Sequence, residues 1–331
     1  MEVVVGTLRW GIVGTGSIAA QFAHDLAFVD HAALVAVASR RLAGAERFAA
    51  THGVPEAVGS YEALVAHRGV DAVYVATPHS LHRAHAEAAL SGGKAVLCEK
   101  PLTPTLADAE AVVATARLAQ VPLMEGLWTY FLPAIQTARR WVDEGLVGTI
   151  RHIQADFGFA AAYDPASRLY DPALAGGALL DIGIYPLALA WHLMGREPDH
   201  VFARMRRAPT GVDDDVVMVL DYGNDDCTAS LVASFRGALR NEAAIVGSQG
   251  TIVIPDFFRA TRCVRLEGGR EVERFHDGRA SIGLAYEIDA FSRDVLAGRV
   301  ESDVVPWSTS LALQRHLQAV RDAAVRSPPA R

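Results

Sequence analysis

The sequence predicts an α/β N-terminal domain on a parallel, doubly wound sheet, then an α+β C-terminal domain with a large, mostly antiparallel open sheet. Three observations predict it. Over the first 125 residues, short apolar runs alternate with helical stretches, as parallel strands joined by crossover helices require. After Glu125, several strand-like runs follow one another with no helix between them, as antiparallel sheet does. The length, 331 residues, makes two domains the natural expectation. The boundary is placed by the change of pattern, giving domains 1–125 and 126–331.

In the first domain, Leu8–Val13, Leu34–Ala38, Val70–Ala76, Ala95–Glu99 and Val121–Glu125 read as strands. Between them Ser17 to Phe28, Arg41–His52, His82–Leu90 and Thr105–Gln120 read as helices. In the second, Leu132–Glu144 is predicted helical. Strands are predicted at Ile150–Phe159, Val201–Arg206, Val216–Leu220, Thr228–Phe235, Glu242–Val246 and Thr251–Ile254. A helix around Asp181 is expected to cover one face of that sheet. Trp307–Val325 reads as a C-terminal helix and Ser327–Arg331 as a frayed tail.

With 51% hydrophobic and 21% charged residues, the composition is that of a globular protein with enough apolar material for two cores. A formal net charge of -7 points away from nucleic acid. Cys98, Cys227 and Cys263 are odd in number and have neither zinc nor disulfide spacing, which suits a reducing, cytoplasmic compartment. No basic n-region and long apolar h-region open the chain, so no signal peptide is expected. Leu174 to Leu193 has the length of a bilayer span. It contains Asp181, which would cost roughly 2.5–3.5 kcal/mol at a membrane centre, so a buried helix is expected and no membrane partner.

Gly11 through Ala19 contains G-x-G-x-x-A directly after a strand and opening a helix. Gly14, Thr15, Gly16, Ser17 and Ile18 form the turn. The glycines allow close backbone approach to a pyrophosphate, and the helix N-terminus supplies N–H donors. The strand, the helix and the βαβ continuation together make this a Rossmann nucleotide site. At the end of the second strand, an acidic residue would bind the ribose hydroxyls of NAD. Here stand Ser39, Arg40 and Arg41. Arginine accommodates a 2′-phosphate through charge-assisted hydrogen bonds, so NADP is expected, with NAD open as the alternative.

Two distant segments point to the chemistry. Glu99-Lys100-Pro101 puts an ammonium where a strand ends. Gly176 to Pro186 offers a carboxylate, Asp181, and a phenol, Tyr185, four residues apart and so on one helical face. Lys, Asp and Tyr converging would make a proton-transfer site. His79, His82 and His85 recur every three residues but lack a matching carboxylate or cysteine set, so no metal is expected. Asp213-Asp214-Asp215 reads as a solvated turn.

Across essentially its whole length the chain resembles the glucose–fructose oxidoreductase/inositol dehydrogenase (Gfo/Idh/MocA) superfamily. Within it, the resemblance is to the branch of dimeric dihydrodiol dehydrogenases and NADP-dependent D-xylose dehydrogenases. The segments that carry it are the Gly14–Ala19 loop, Thr77-Pro78-His79 with His82, Glu99-Lys100-Pro101, Glu125 to Thr129, Arg168 to Pro172, and Gly176 through Pro186. The resemblance implies that Lys100 sits near the nicotinamide and the reacting oxygen, that Asp181 orients substrate, and that Tyr185 occupies the acid/base position. Thr77, Pro78, His79, His82 and Glu99 would line the cofactor with Lys100. The Lys100–Pro101 bond is often cis in such proteins. A free Tyr titrates near ~10, and a nearby ammonium favours its phenolate, which agrees with these roles.

Trp128 and Tyr130 stand equally for pocket walls or core residues. Where Tyr130 stands, relatives commonly carry arginine. Arg168 either hydrogen-bonds a ligand or anchors its loop. The expectation is an NADP-dependent oxidoreductase acting on a small molecule, a pyranose or trans-dihydrodiol alcohol or carbonyl. In this branch the open sheet commonly forms a homodimer. The alternatives are an NAD-preferring polyol or inositol dehydrogenase and a non-catalytic NADP-binding sensor.

Overall fold

The computed structural model describes residues 6–326; the tail predicted at 327–331 lies outside them. The chain divides into two compact units, 1–128 with 280–311, and 129–279 with 312–331.

The first unit contains β1 (Leu8–Val13), α1 (Ser17–Leu26), β2 (Ala32–Ala38), α2 (Leu42–His52), β3 (Glu56–Val58) and α3 (Tyr61–Val65). It continues with β4 (Ala72–Val75), α4 (His82–Ser91), β5 (Ala95–Glu99), α5 (Leu106–Ala119) and β6 (Leu123–Gly126). The sheet order is β3-β2-β1-β4-β5-β6, and every pair is parallel. β4 and β5 are buried at every position, as strands covered on both faces must be. Val73, Val75, Val96 and Cys98 meet Ala86, Leu90 and Val112 from α4 and α5 in one core. Capping fixes where the helices begin. Thr105 Oγ1 accepts Asp108 N–H at 3.2 Å and donates to that carboxylate at 2.7 Å, a reciprocal cap at the start of α5.

The second unit contains α6 (Pro133–Asp143), β7 (Ile150–Gly158), α7 (Ile184–Met194), β8 (His200–Arg207), β9 (Asp213–Tyr222) and β10 (Cys227–Ser234). Four more strands follow: β11 (Glu242–Gly247), β12 (Thr251–Pro255), β13 (Arg262–Glu267) and β14 (Arg270–His276). The eight strands run in the order β14-β13-β12-β11-β7-β10-β9-β8. Only β7 and β10 pair in parallel; the other neighbours are antiparallel. Alternation is strict along β9, where Val216, Met218, Leu220 and Tyr222 are buried and Val217 is exposed. α7 packs on β7 and β10, and α6 on β12 and β13, all through the buried side. The opposite side of the sheet is open.

The apolar stretch Pro172–Met194 meets the length and hydropathy of a membrane span, but it is mostly buried within the protein. Asp213 does not stand in a solvated turn: it opens β9, and its carboxylate accepts Leu179 N–H at 2.6 Å. The sequence pattern also misses β3, α3, β13, β14 and α8 (Leu284–Leu296). β3 has three residues, and β14 is almost wholly exposed and charged, so neither carries an apolar period. α8 returns the chain to the first unit. Asp25, fully buried, accepts the N–H groups of Ile282, Gly283 and Ala285 at its start. Trp10 packs on Phe22 and on Phe291 of α8, and its indole N–H donates to Ser292. α9 (Trp307–Arg326) follows, and Trp307 donates to Leu123 O at 2.9 Å.

Candidate active site

In an open parallel sheet the ligand crevice lies at the carboxyl ends of strands where their order reverses. Here that point falls between β1 and β4. Gly14 leaves β1 with φ +111°, and a Cβ there would stand 2.6 Å from Ala76 O at the end of β4. Only glycine allows that approach in that conformation. Gly16 is exposed, with nothing within 4 Å of where its Cβ would be. It caps α1, whose first turn carries no acidic residue, so the N–H groups of that turn and a positive dipole end face that space.

Beyond the loop, a cavity of about 530 Å³ is lined by Thr15, Ser39, Arg40, Arg41 and Arg47, with Ala43 and Gly44. No carboxylate lines it. The residues present therefore fit a dinucleotide carrying an extra phosphate: backbone donors at the glycines and three guanidiniums at the far end. Arg47, on α2, does not stand out in the sequence from the other polar residues of an Ala-rich helix. Its six-residue spacing from Arg41 is the available signal.

The loops that follow β4 and β5 are tied together. His82 is fully buried. Its Nε2 lies 2.8 Å from Thr77 O and its Nδ1 2.9 Å from Pro101 O. Burial is the larger influence on this ring and pulls its pKa down to about 4, against the two carbonyls. Thr77 Oγ1 bonds His85 Nδ1 at 3.0 Å, and the His79 and His82 rings meet edge to face. Pro78 is half-buried. Among the described residues, no group of His, Cys, Asp and Glu is arranged to hold a metal. Glu99 is buried, accepting the Tyr74 hydroxyl and the Lys100 N–H. Lys100 itself is half-buried, and the Lys100–Pro101 bond is cis. Trp128 is buried at the end of this unit.

The second unit holds Asp181, Tyr185, Arg168 and Tyr130. Residues Leu179–Gly183 form a π turn leading directly into α7. Such wide turns persist at functional sites. Asp181 lies in that turn and Tyr185 in α7, so the four-residue spacing does not run along a regular α-helix. Asp181 is buried and pairs with the more exposed Arg168, Nη1 to Oδ1 at 3.0 Å. The turn is held from below by Asp213. A Cβ on Gly177, which has φ +125°, would stand 2.6 Å from Asp213 Oδ1. Burial pushes the Asp213 carboxyl up, and the Leu179 N–H pulls it back.

The Tyr185 ring is half-buried against Phe157 and Phe258, with centroids 5.5 and 5.9 Å away. Those two rings stack on each other at 3.9 Å. Neither phenylalanine stands out in the sequence; the inward register of β7 is the only signal for Phe157. Tyr130 is buried, with its hydroxyl donating to Ala188 O at 2.6 Å and its ring against His192.

Comparison with known proteins agrees with this arrangement. Residues 8–127 match the oxidoreductase family with an NAD-binding Rossmann fold, and residues 135–253 match the GFO/IDH/MocA C-terminal domain. The human trans-1,2-dihydrobenzene-1,2-diol dehydrogenase is 36% identical over 328 residues, covering 96% of each chain. The Sus scrofa protein of the same name is 39% identical over 327 residues, again covering 96% of each chain. Among solved structures, the aldose-aldose oxidoreductase from Caulobacter crescentus, complexed with glycerol, is 29% identical with a TM-score of 0.87. A 3-ketoreductase from Actinomadura kijaniata, solved with NADP and TDP-benzene, is 30% identical with a TM-score of 0.87. Both alignments cover 96% of this chain and 98% of the other. The Gly14 crevice, the two sheet types and the family matches lead to one conclusion: the chain belongs to the Gfo/Idh/MocA family and is an NAD(P)-dependent oxidoreductase.

Proposed function

We propose that this enzyme prefers NADP and oxidises or reduces a cyclic secondary alcohol or its carbonyl, of the trans-dihydrodiol or pyranose class, with Tyr185 as acid/base. The observation that carries the cofactor preference is the cavity at the end of β2: three arginines line it and no carboxylate does. A 2′-phosphate is matched by guanidiniums, whereas bare ribose hydroxyls are matched by an acid.

The first unit is the dinucleotide-binding domain in this reading, and the second binds substrate. When bound, the nicotinamide would supply the hydride chemistry. Tyr185 holds the proton of the substrate hydroxyl at its phenolic oxygen and returns it in the reverse direction. Lys100 favours the phenolate by its charge. Asp181, fixed by Arg168, orients the substrate hydroxyls. The stacked Phe157 and Phe258 beside Tyr185 suit the apolar face of a ring bearing hydroxyls at its edge.

The names of the human dehydrogenase and of the Caulobacter oxidoreductase support the two substrate classes. A homodimer through the open face of the second sheet belongs to the same reading. It is supported by the exposed Phe202 and Val217 on that face. The three cysteines are buried and unpaired, which suits the cytoplasm.

The test is absorbance at the reduced-nicotinamide band, with NADP and NAD, against trans-dihydrodiols and a panel of aldoses. Turnover with NADP is expected. Tight NADP binding with no turnover on any alcohol or carbonyl would favour a sensor instead.

A further inference from the structure

The turn that carries Lys100 is gripped by buried groups that no step above uses. β5 and β6 run parallel, with Cys98 opposite Glu125 and Glu99 opposite Gly126. Glu125 is 1% exposed, an unusual place for a carboxylate. Its Oε1 accepts the N–H of Leu102 at 2.7 Å. The oxygen of Pro101, at the other end of that peptide, lies 2.9 Å from His82 Nδ1. One peptide group, beginning one residue after Lys100, thus meets buried side chains from β6 and α4 at its two ends, the single N–H of the neutral His82 ring facing either Pro101 O or Thr77 O. Leu102 is itself 1% exposed, so no water can replace Glu125 as acceptor for its N–H without opening the core. An orphaned buried donor costs more than the bond contributes.

We propose that Glu125 is a positioning residue for the reaction: by holding Leu102 N–H, with the His82 ring against the carbonyl of the same peptide, it fixes the turn that aims Lys100. The proposal rests on the assignment of Lys100 made above. Glu125 touches neither reactant; it acts through the backbone of the turn. Burial pushes its carboxyl up to about 7, with Glu99 adding to the rise. The Ser310 hydroxyl on α9, the Leu102 N–H and the Lys100 ammonium pull it down. Cys98, on the facing strand, is a buried thiol whose own pKa Glu125 helps raise. Near neutral pH, then, Glu125 changes charge. The charged form makes the stronger bond to Leu102 N–H.

The experiment compares Glu125→Gln, Glu125→Leu and Lys100→Met in the full chain. It measures kcat and KM with NADP and the best alcohol of the panel across pH 5.5–9. NADP affinity is measured separately by calorimetry. Glu125→Leu should lower kcat by about 10- to 100-fold, as a displaced reacting group does, with NADP affinity little changed. Added to Lys100→Met, it should cost nothing more.

Glutamine can still accept the N–H. As a neutral acceptor it matches the protonated carboxyl, so Glu125→Gln should hold kcat near the wild-type low-pH level across the range and lose the limb that rises through about pH 7. Loss of folding in Glu125→Leu leaves the pH profile of Glu125→Gln to decide. A retained limb there, or wild-type kcat in a folded Glu125→Leu while Lys100→Met is impaired, overturns this proposal alone. Wild-type kcat in Lys100→Met overturns the assignment of Lys100, and this proposal with it.

Discussion

The two sheets of this protein offer chemistry in opposite ways. The first is covered by helices on both faces, so Gly14, Thr77, Glu99 and Lys100 stand at or just beyond strand ends. In the proposed reading, backbone N–H groups and short turns do the binding there. The second is covered on one face by α7 and α6, and the residues proposed for its chemistry ride on the covering segment: Asp181 in the π turn and Tyr185 in α7. Its other face carries the exposed Phe202 and Val217. A strand-end site is placed by the register of the sheet. A site on a covering helix depends on how that helix is seated, here through Gly177 and Asp213.

The sharpest way to break this contrast is Tyr185→Phe, which removes a hydroxyl from the covering helix and keeps the ring against Phe157 and Phe258. A phenol that transfers a proton contributes ~10²–10⁴-fold, so kcat should fall within that range while NADP affinity and Tm hold. Near wild-type kcat would make the phenol a packing residue and move the search for the proton acceptor to Lys100 or Asp181. Lys100→Met should also be severe, and the two losses should not add.

On the strand-end side, Arg40→Ala should weaken NADP by roughly 10- to 150-fold, the loss of one charge-assisted hydrogen bond, and leave NAD nearly unchanged. Equal losses for both cofactors in a binding titration would remove the 2′-phosphate from that cavity. The open face is tested by Val217→Lys with Phe202→Lys. Sedimentation at micromolar protein should show about twice 35.4 kDa for the parent and a monomer for the variant. A monomeric parent would end the proposal of a dimer.

A smaller effect tests the interior of the first unit. Glu287 is fully buried, and neither carboxylate oxygen has a hydrogen-bond partner. Burial, then Glu99 and Asp25, raises its pKa well above the usual carboxylate value. With the folded pKa above the unfolded one, its contribution to stability is full at low pH and is lost as pH rises. Glu287→Gln should therefore raise Tm at pH 8 and change it little at pH 4.5. Equal shifts at both pH values would show that the carboxyl does not carry the effect.

How much is legible in the sequence follows from the same contrast. Strands buried on both faces announce themselves as apolar runs, and the glycine turn has one meaning in that setting, so the first sheet and its crevice are readable. The arginines at Ser39–Arg41 are readable because an acid is missing where one would otherwise stand. Asp213 is not, because a row of three aspartates looks the same in a solvated turn and at the start of a strand. The π turn is invisible too: no residue type signals an extra residue in a helix. Glu125 lies in plain view as an acid at a strand end, but only the register of β5 on β6 shows which N–H it meets.

Asp25 and Trp10 have a consequence for how the chain is made. Their partners, Ile282 to Ala285 and Phe291 with Ser292, are translated some 250 or more residues later. Until then the N-terminal sheet has an open flank, a bare indole and a carboxylate without its three backbone donors. A fragment ending at residue 128 would therefore be a poor folder although it contains the whole parallel sheet. The first unit is therefore completed only by residues encoded near the other end of the chain.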